Sequence, residues 1–169
     1  MDSAAVLLDG FERVRGAVHT VLHRISADDL TARLDEKANS IAWLVWHLTR
    51  VQDDHVADAA GLEQVWLAQG WAEEFDLPLS DVDTGYGHHA EDVASVRVGS
   101  PRPLRGYHDA VHEQTAAFVR DLDADALDRI VDEGWDPPVT LGVRLVSVLA
   151  DDLQHVGQAE FVRGVLRRR

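Results

Sequence analysis

Nine histidines and no cysteine stand in a chain of 169 residues. Any bound metal must therefore be held by imidazole or carboxylate, and neither a thiol nucleophile nor a disulfide framework is available. His47 lies within Trp43-Leu44-Val45-Trp46-His47-Leu48, surrounded by large apolar side chains. A lone histidine in such a setting is ordinarily a hydrogen-bonded core residue. Towards the far end, Val148-Leu149-Ala150-Asp151-Asp152-Leu153-Gln154-His155 places two carboxylates and an imidazole in an apolar stretch. Buried carboxylates need a partner. Asp151 precedes His155 by four residues and Asp152 by three, so either can meet that ring on one helix face. The plainer alternative is that an aspartate merely orients or neutralises His155. Taken together, His47 from one helix with Asp151 and His155 from another make three N/O ligands converging on a bundle interior. Three protein ligands leave open positions, the catalytic pattern for zinc, and the lack of sulfur also admits nickel, iron or manganese.

The other histidines invite plainer readings. His19, His23, His88 and His89 are expected to be exposed or loop residues without a chemical role. His108 and His112 share a helix face at a spacing that suits a metal, although a solvated pair is the commoner outcome. Arg50, three residues after His47, and Arg144, seven before Asp151, can point to the metal end and hold an anionic group of substrate or cofactor. Solvated surface arginines are the alternative. Trp43 and Trp46 are expected to pack the core, with one of them able to wall a cavity.

These residues are positioned by helices. From Ser3 to about Ser26, Leu8, Phe11, Val14, Val18, Val21 and Leu22 recur at spacings of three and four, one helix face. A second helix runs from an N-cap at Asn39 or Ser40 to a stop near Gly61. Gly61 to Ser100 is a long acidic connection with room for one or two short helices, and it can lid the site. Pro101 and Pro103 open a third helix towards Leu122, and a connection with a short turn at Ala124 to Ile130 follows. The fourth helix runs from Thr140 to the arginine-rich end. Alternating patterns of strand length are missing, so the expected class is all-α, a four-helix bundle formed by one domain spanning 1–169.

Composition narrows the partners. Sixteen basic against thirty acidic residues give a net charge of −14, which repels phosphate backbones and anionic lipid, so neither nucleic acid nor membrane is expected. No window reaches the roughly 18 consecutive apolar residues of a membrane helix. The early charges Asp2, Asp9, Glu12, Arg13 and Arg15 leave no room for an export signal, and a cytoplasmic location is expected. Lys37 is the only lysine beside abundant arginine, the usage of a GC-rich genome.

Trp46-His47-Leu48 on the second helix, with Asp151-x-x-x-His155-x-Gly157-Gln158 on the last, resembles the DinB-like metalloprotein superfamily. The resemblance extends over nearly the whole chain through helix order and the long middle connection. It implies an antiparallel four-helix bundle, often a homodimer, with a divalent metal on His47, Asp151 and His155, zinc being the first choice. Most members have histidine where this chain has Asp151. The mycothiol-dependent maleylpyruvate isomerase and mycothiol S-transferase branch has a carboxylate there, glutamate, one methylene longer than Asp151. Mycothiol belongs to actinobacteria, whose GC-rich genomes agree with the arginine usage. The implied function is transfer of the mycothiol thiolate, activated by the metal, to an electrophilic small molecule in detoxification. The alternatives are a metal-dependent hydrolase on the same bundle and a non-catalytic, stress-related metal-binding or interaction protein.

Overall fold

A computed structural model describes residues 2–169. The long helices begin where side chains cap them. α1 (Ser3–Leu22) starts at Asp2, whose carboxylate accepts from the Ala5 amide at 2.8 Å. α2 (Ala27–Thr31) is a single turn capped by Ser26. α3 (Ile41–Ala60) starts at Ser40, whose hydroxyl accepts from the Trp43 amide, and ends at Gly61 in the left-handed conformation with φ +66°. These caps satisfy amides that the helix itself leaves unpaired.

The connection after α3 carries three short helices, α4 (Val65–Ala68), α5 (Trp71–Phe75) and α6 (Ala90–Ser95), one more than the expected maximum. Then come α7 (Arg102–Arg120) and a 3-10 turn at Asp125–Asp128. A small antiparallel hairpin of β1 (Ile130–Asp132) and β2 (Val139–Thr140) follows. Strands this short hold no alternating pattern to find in the sequence. α8 (Leu141–Leu166), capped by Thr140, completes the chain. The first helix stops at Leu22, earlier than the periodicity suggested, because the chain turns at His23 and Arg24 to reach α2.

α1, α3, α7 and α8 form the four-helix bundle. Side-chain pairs give the directions. Glu12 meets His112 and His19 meets Asp109, so α1 and α7 are antiparallel. His47 faces His155 and His55 faces Arg144, so α3 and α8 are antiparallel too. α1 and α8 run parallel, with Gly10 beside Leu149 and Arg163 bonded to the Thr20 and His23 carbonyls. The order is up, down, down, up, and the long connection is what carries the chain back so that α3 and α7 point the same way. Antiparallel packing thus describes two of the neighbouring pairs. α3 packs most extensively on α8, which sets the two metal-motif helices face to face.

The interior is apolar, with Phe11, Val14, Val18, Leu44, Leu48 and Leu145 at or near zero exposure. It also holds polar groups. His108 is fully buried, so it is not half of a solvated pair, while His112 turns outward to Glu12 at 3.0 Å. Both His108 nitrogens lack a hydrogen-bond partner among the described residues. Burial lowers its pKa from 6.5 to about 3, with the facing His112 adding to the effect, so the folded protein holds this ring neutral. A lowered folded pKa contributes stability that is complete above the unfolded value and lost as pH falls. Urea unfolding should therefore show a stability decline between pH 6.5 and about 3 that His108→Leu visibly reduces. An unchanged pH profile in that variant would contradict the neutral, buried assignment.

Candidate metal centre

Two helix faces and one loop build the site. On α3, His47 is buried among Trp43, Trp46 and Leu48, with the Trp43 ring stacked on it at 4.5 Å between centroids. Its Nδ1 lies 2.5 Å from the Thr84 carbonyl oxygen. A carbonyl only accepts, so Nδ1 carries the proton and Nε2 keeps a free lone pair, the state a metal-ligating imidazole requires. Burial lowers the His47 pKa against the opposing pull of that carbonyl, which keeps the ring neutral.

On α8, Asp151 Oδ1 lies 3.5 Å from His155 Nε2, one helical turn on. The His47 and His155 rings approach edge to face at 4.7 Å. One ligand atom from each of His47, Asp151 and His155 falls within 4.8 Å of the others. Burial pushes Asp151 up, but His155, His47 and His55 outweigh it and leave its carboxyl below the usual range. The same contact with Asp151 raises His155 above its ordinary value despite partial burial. Asp151 Oδ2 is buried without a hydrogen-bond partner among the described residues. An orphaned anionic oxygen beside two imidazoles is what a cation would satisfy. The donor set fits a divalent ion, and the oxygen and nitrogen donors suit zinc as well as harder metals.

Asp152 is elsewhere. One residue on, about 100° round the helix, it points into the bundle core at zero exposure, and burial pushes its carboxyl far up. The carboxylate that joins the two histidines is Asp151.

A model of the DinB superfamily matches residues 10–159, a span that includes all three residues. The chain belongs to the DinB superfamily. The crystal structure of a conserved protein from Enterococcus faecalis superposes with a TM-score of 0.93 at 27% identity, over 100% of this chain and 99% of that one. No curated protein matches the chain.

The two arginines differ from each other. Arg50 is neither solvated nor turned to the metal end. Its guanidinium is fully buried, bonded to the Asp83 carbonyl at 3.0 Å, Gln64 at 2.8 Å and the Tyr107 hydroxyl at 3.2 Å. With every direction committed to the protein, it has no free face for a ligand. Arg144 does reach the site, lining a cavity of about 470 Å³ together with His47 and Asp151. It is bonded to Asp132 at 2.8 Å and to His55 Nδ1 at 3.2 Å.

Of the histidines read as exposed or loop residues, His88 lies on a loop and has a structural part there. Its side chain is largely buried, pairs with Asp83 at 3.0 Å and accepts from the Trp43 indole at 3.0 Å. It thereby ties the loop that carries Thr84 to α3. His55 was not singled out by spacing, yet it faces the cavity. Trp43 and Trp46 are core residues as expected, but the exposed aromatics at the cavity are Tyr86 and Trp135.

The loop over His47 depends on Gly85. Its φ is +88°, and a Cβ there would stand 2.8 Å from His47 Nδ1 and 3.0 Å from Trp46. Gly85→Ala should displace Thr84 and free the His47 ring, lowering divalent-metal affinity about 10- to 100-fold, as loss of an orienting partner does. Isothermal titration with Zn²⁺ checks this. The same titration should show metal binding lost in Asp151→Asn and kept in Asp152→Asn. The reverse pattern would put α8 out of register. Binding should also weaken as pH falls from above 6.5, because the raised His155 pKa makes protons compete there.

Proposed function

We propose that the protein is a divalent-metal-dependent S-transferase that uses mycothiol as its thiol and a small-molecule electrophile as acceptor. One observation carries the reading: His47, Asp151 and His155 bring ligand atoms within 4.8 Å of one another, and His47 and Asp151 of that set line a cavity of about 470 Å³. That volume lies in the range of sites that take a small organic molecule. A divalent ion held by His47, Asp151 and His155 would supply positive charge that lowers the pKa of a thiol and so raises its thiolate fraction at neutral pH. Asp151 contributes one negative charge and the imidazoles none, so the ligands leave a divalent ion incompletely neutralised. The carboxylate at 151 also supports the thiol-using branch over relatives with histidine there.

The chain's own residues do the remaining work. With no cysteine in the sequence, the reacting sulfur has to come from a cosubstrate. Thr84 holds the His47 tautomer, and Trp43 shields that ring from water on one face. Partial burial and the neighbouring Arg144 lower the pKa of His55. Because a guanidinium only donates, His55 Nδ1 accepts from it and Nε2 carries the proton. His55 thus presents a fixed hydrogen-bond donor to a bound molecule. The arginine-rich, lysine-poor composition fits the GC-rich genomes in which mycothiol is made.

Conjugation of mycothiol to an aromatic electrophile by the metal-loaded protein should exceed the uncatalysed rate. Activity should be lost on chelation, return when metal is restored, and stay low in Asp151→Ala at excess metal. Hydrolysis of an ester or amide in the same buffer, without any thiol acceleration, would replace this reading with the hydrolase. Metal binding with neither reaction would replace it with the non-catalytic one.

A further inference from the structure

Two large aromatics stand exposed at the cavity. Tyr86 is 93% exposed and Trp135 is 68% exposed, yet both line the cavity that holds His47 and Asp151. Exposing a tryptophan to water forfeits the burial that drives packing elsewhere, and here both rings sit on tethered arms. The Tyr86 arm is fixed by Asp83, which accepts from the Gly85 amide at 2.7 Å and pairs with His88. The Trp135 arm leaves β1, which is tied to α8 by the Asp132–Arg144 ion pair at 2.8 Å.

The polar groups that line the cavity with these rings favour a neutral ligand. Arg144 is already paired with Asp132, and Asp54 adds a carboxylate to the lining. With a divalent ion at the centre, the charges of Asp54, Asp132, Asp151 and Arg144 bring the surroundings close to balance. Neither a carboxylate-bearing nor a cationic molecule gains much from that field. The lining offers both donors and acceptors instead. The Ser147 hydroxyl donates to the Val143 carbonyl and keeps its lone pairs for the cavity, and Asp54 offers an acceptor. His55 offers its Nε2 proton. A hydroxyl group both donates and accepts, so a ring bearing several hydroxyls matches this lining, while its C–H faces stack on aromatic rings.

We propose that Tyr86 and Trp135 form a subsite for an uncharged polyhydroxylated ring, a sugar or cyclitol, beside the metal centre. The inference rests on the transferase reading in one respect, since mycothiol carries such a ring system next to its thiol. It names the groups that would select a neutral glycosidic thiol over the charged peptide thiol glutathione.

The test uses the thiol-free glucosaminyl-inositol portion of mycothiol, N-acetylated, as the probe. It is titrated into the metal-free protein and into the zinc-loaded protein while the Trp135 indole N–H signal is followed by NMR. Saturable displacement of that signal is expected in both forms. Trp135→Ala and Tyr86→Ala should each weaken binding about tenfold, the scale of a lost stacking contact, with the far-ultraviolet dichroism and zinc affinity of both variants unchanged. Glutathione at the same concentrations should leave the signal in place. No response to the probe, or a response that both alanine variants retain, overturns the subsite. So does saturation by a quaternary ammonium ion or an aromatic carboxylate at lower concentration than the glycoside. Glycoside binding without mycothiol conjugation would keep the subsite and remove the transferase reading. Conjugation unaffected by either alanine variant would do the opposite.

Discussion

The buried pair of Arg50 and Asp53 is the constraint on which the site rests. Both side chains stand on α3 with no exposure, 3.6 Å apart. Moving two charges out of water costs several kcal/mol each, roughly, unless hydrogen bonds take up the remaining valences. Here they do. Asp53 accepts from the Val65 and Trp66 amides and from the Tyr107 hydroxyl, all within 2.9 Å. Arg50 reaches the Asp83 carbonyl and lies over the Trp66 ring. The pair therefore fastens the long connection to α3 at two separate places, the start of α4 and the loop at Asp83. Replacing either member alone would strand a charge in the interior, so the connection cannot drift from the helix cheaply.

From that fastening the geometry of His47 follows. With Asp83 held, Thr84 falls over the imidazole and Gly85 passes close to its edge, and the ring has only one tautomer that satisfies the carbonyl. The opposite wall needs no such device. Asp151 and His155 are one turn apart on a long helix packed against α1 and α3, so their spacing is set by helical geometry alone. One ligand is positioned by a loop anchored through buried charge, and two by the periodicity of α8.

This division explains what was legible in the sequence. The caps at Ser40 and Thr140 and the three- and four-residue periodicity fix the helices, and the spacing of Asp151 and His155 follows from any helix there. His47 stood out because an imidazole among two tryptophans needs a partner. Arg50 was misread because a sequence does not show that a distant loop will bring carbonyls to an arginine, so exposure is its ordinary fate. His88 was missed for the same reason, since its partners Asp83 and Trp43 are joined only after the connection folds back. The choice between Asp151 and Asp152 stayed open because adjacent residues on one helix differ only by rotation, and rotation is set by contacts with α1 and α3. Tyr86 and Trp135 carry no periodic signal at all, lying on a glycine-flanked turn and a hairpin too short to alternate.

The same division separates the candidate metal ligands from the exposed aromatics at the cavity. Donor atoms on α3 and α8 gain precision from rigid helices, whereas Tyr86 and Trp135 stand on connections outside the bundle. Arg144 is where the two meet. It stands on α8 one face-repeat from Asp151, holds the hairpin through Asp132, and fixes the His55 tautomer on α3. The hairpin and His55 are thus joined through one guanidinium, whereas His47 is held by the Thr84 carbonyl.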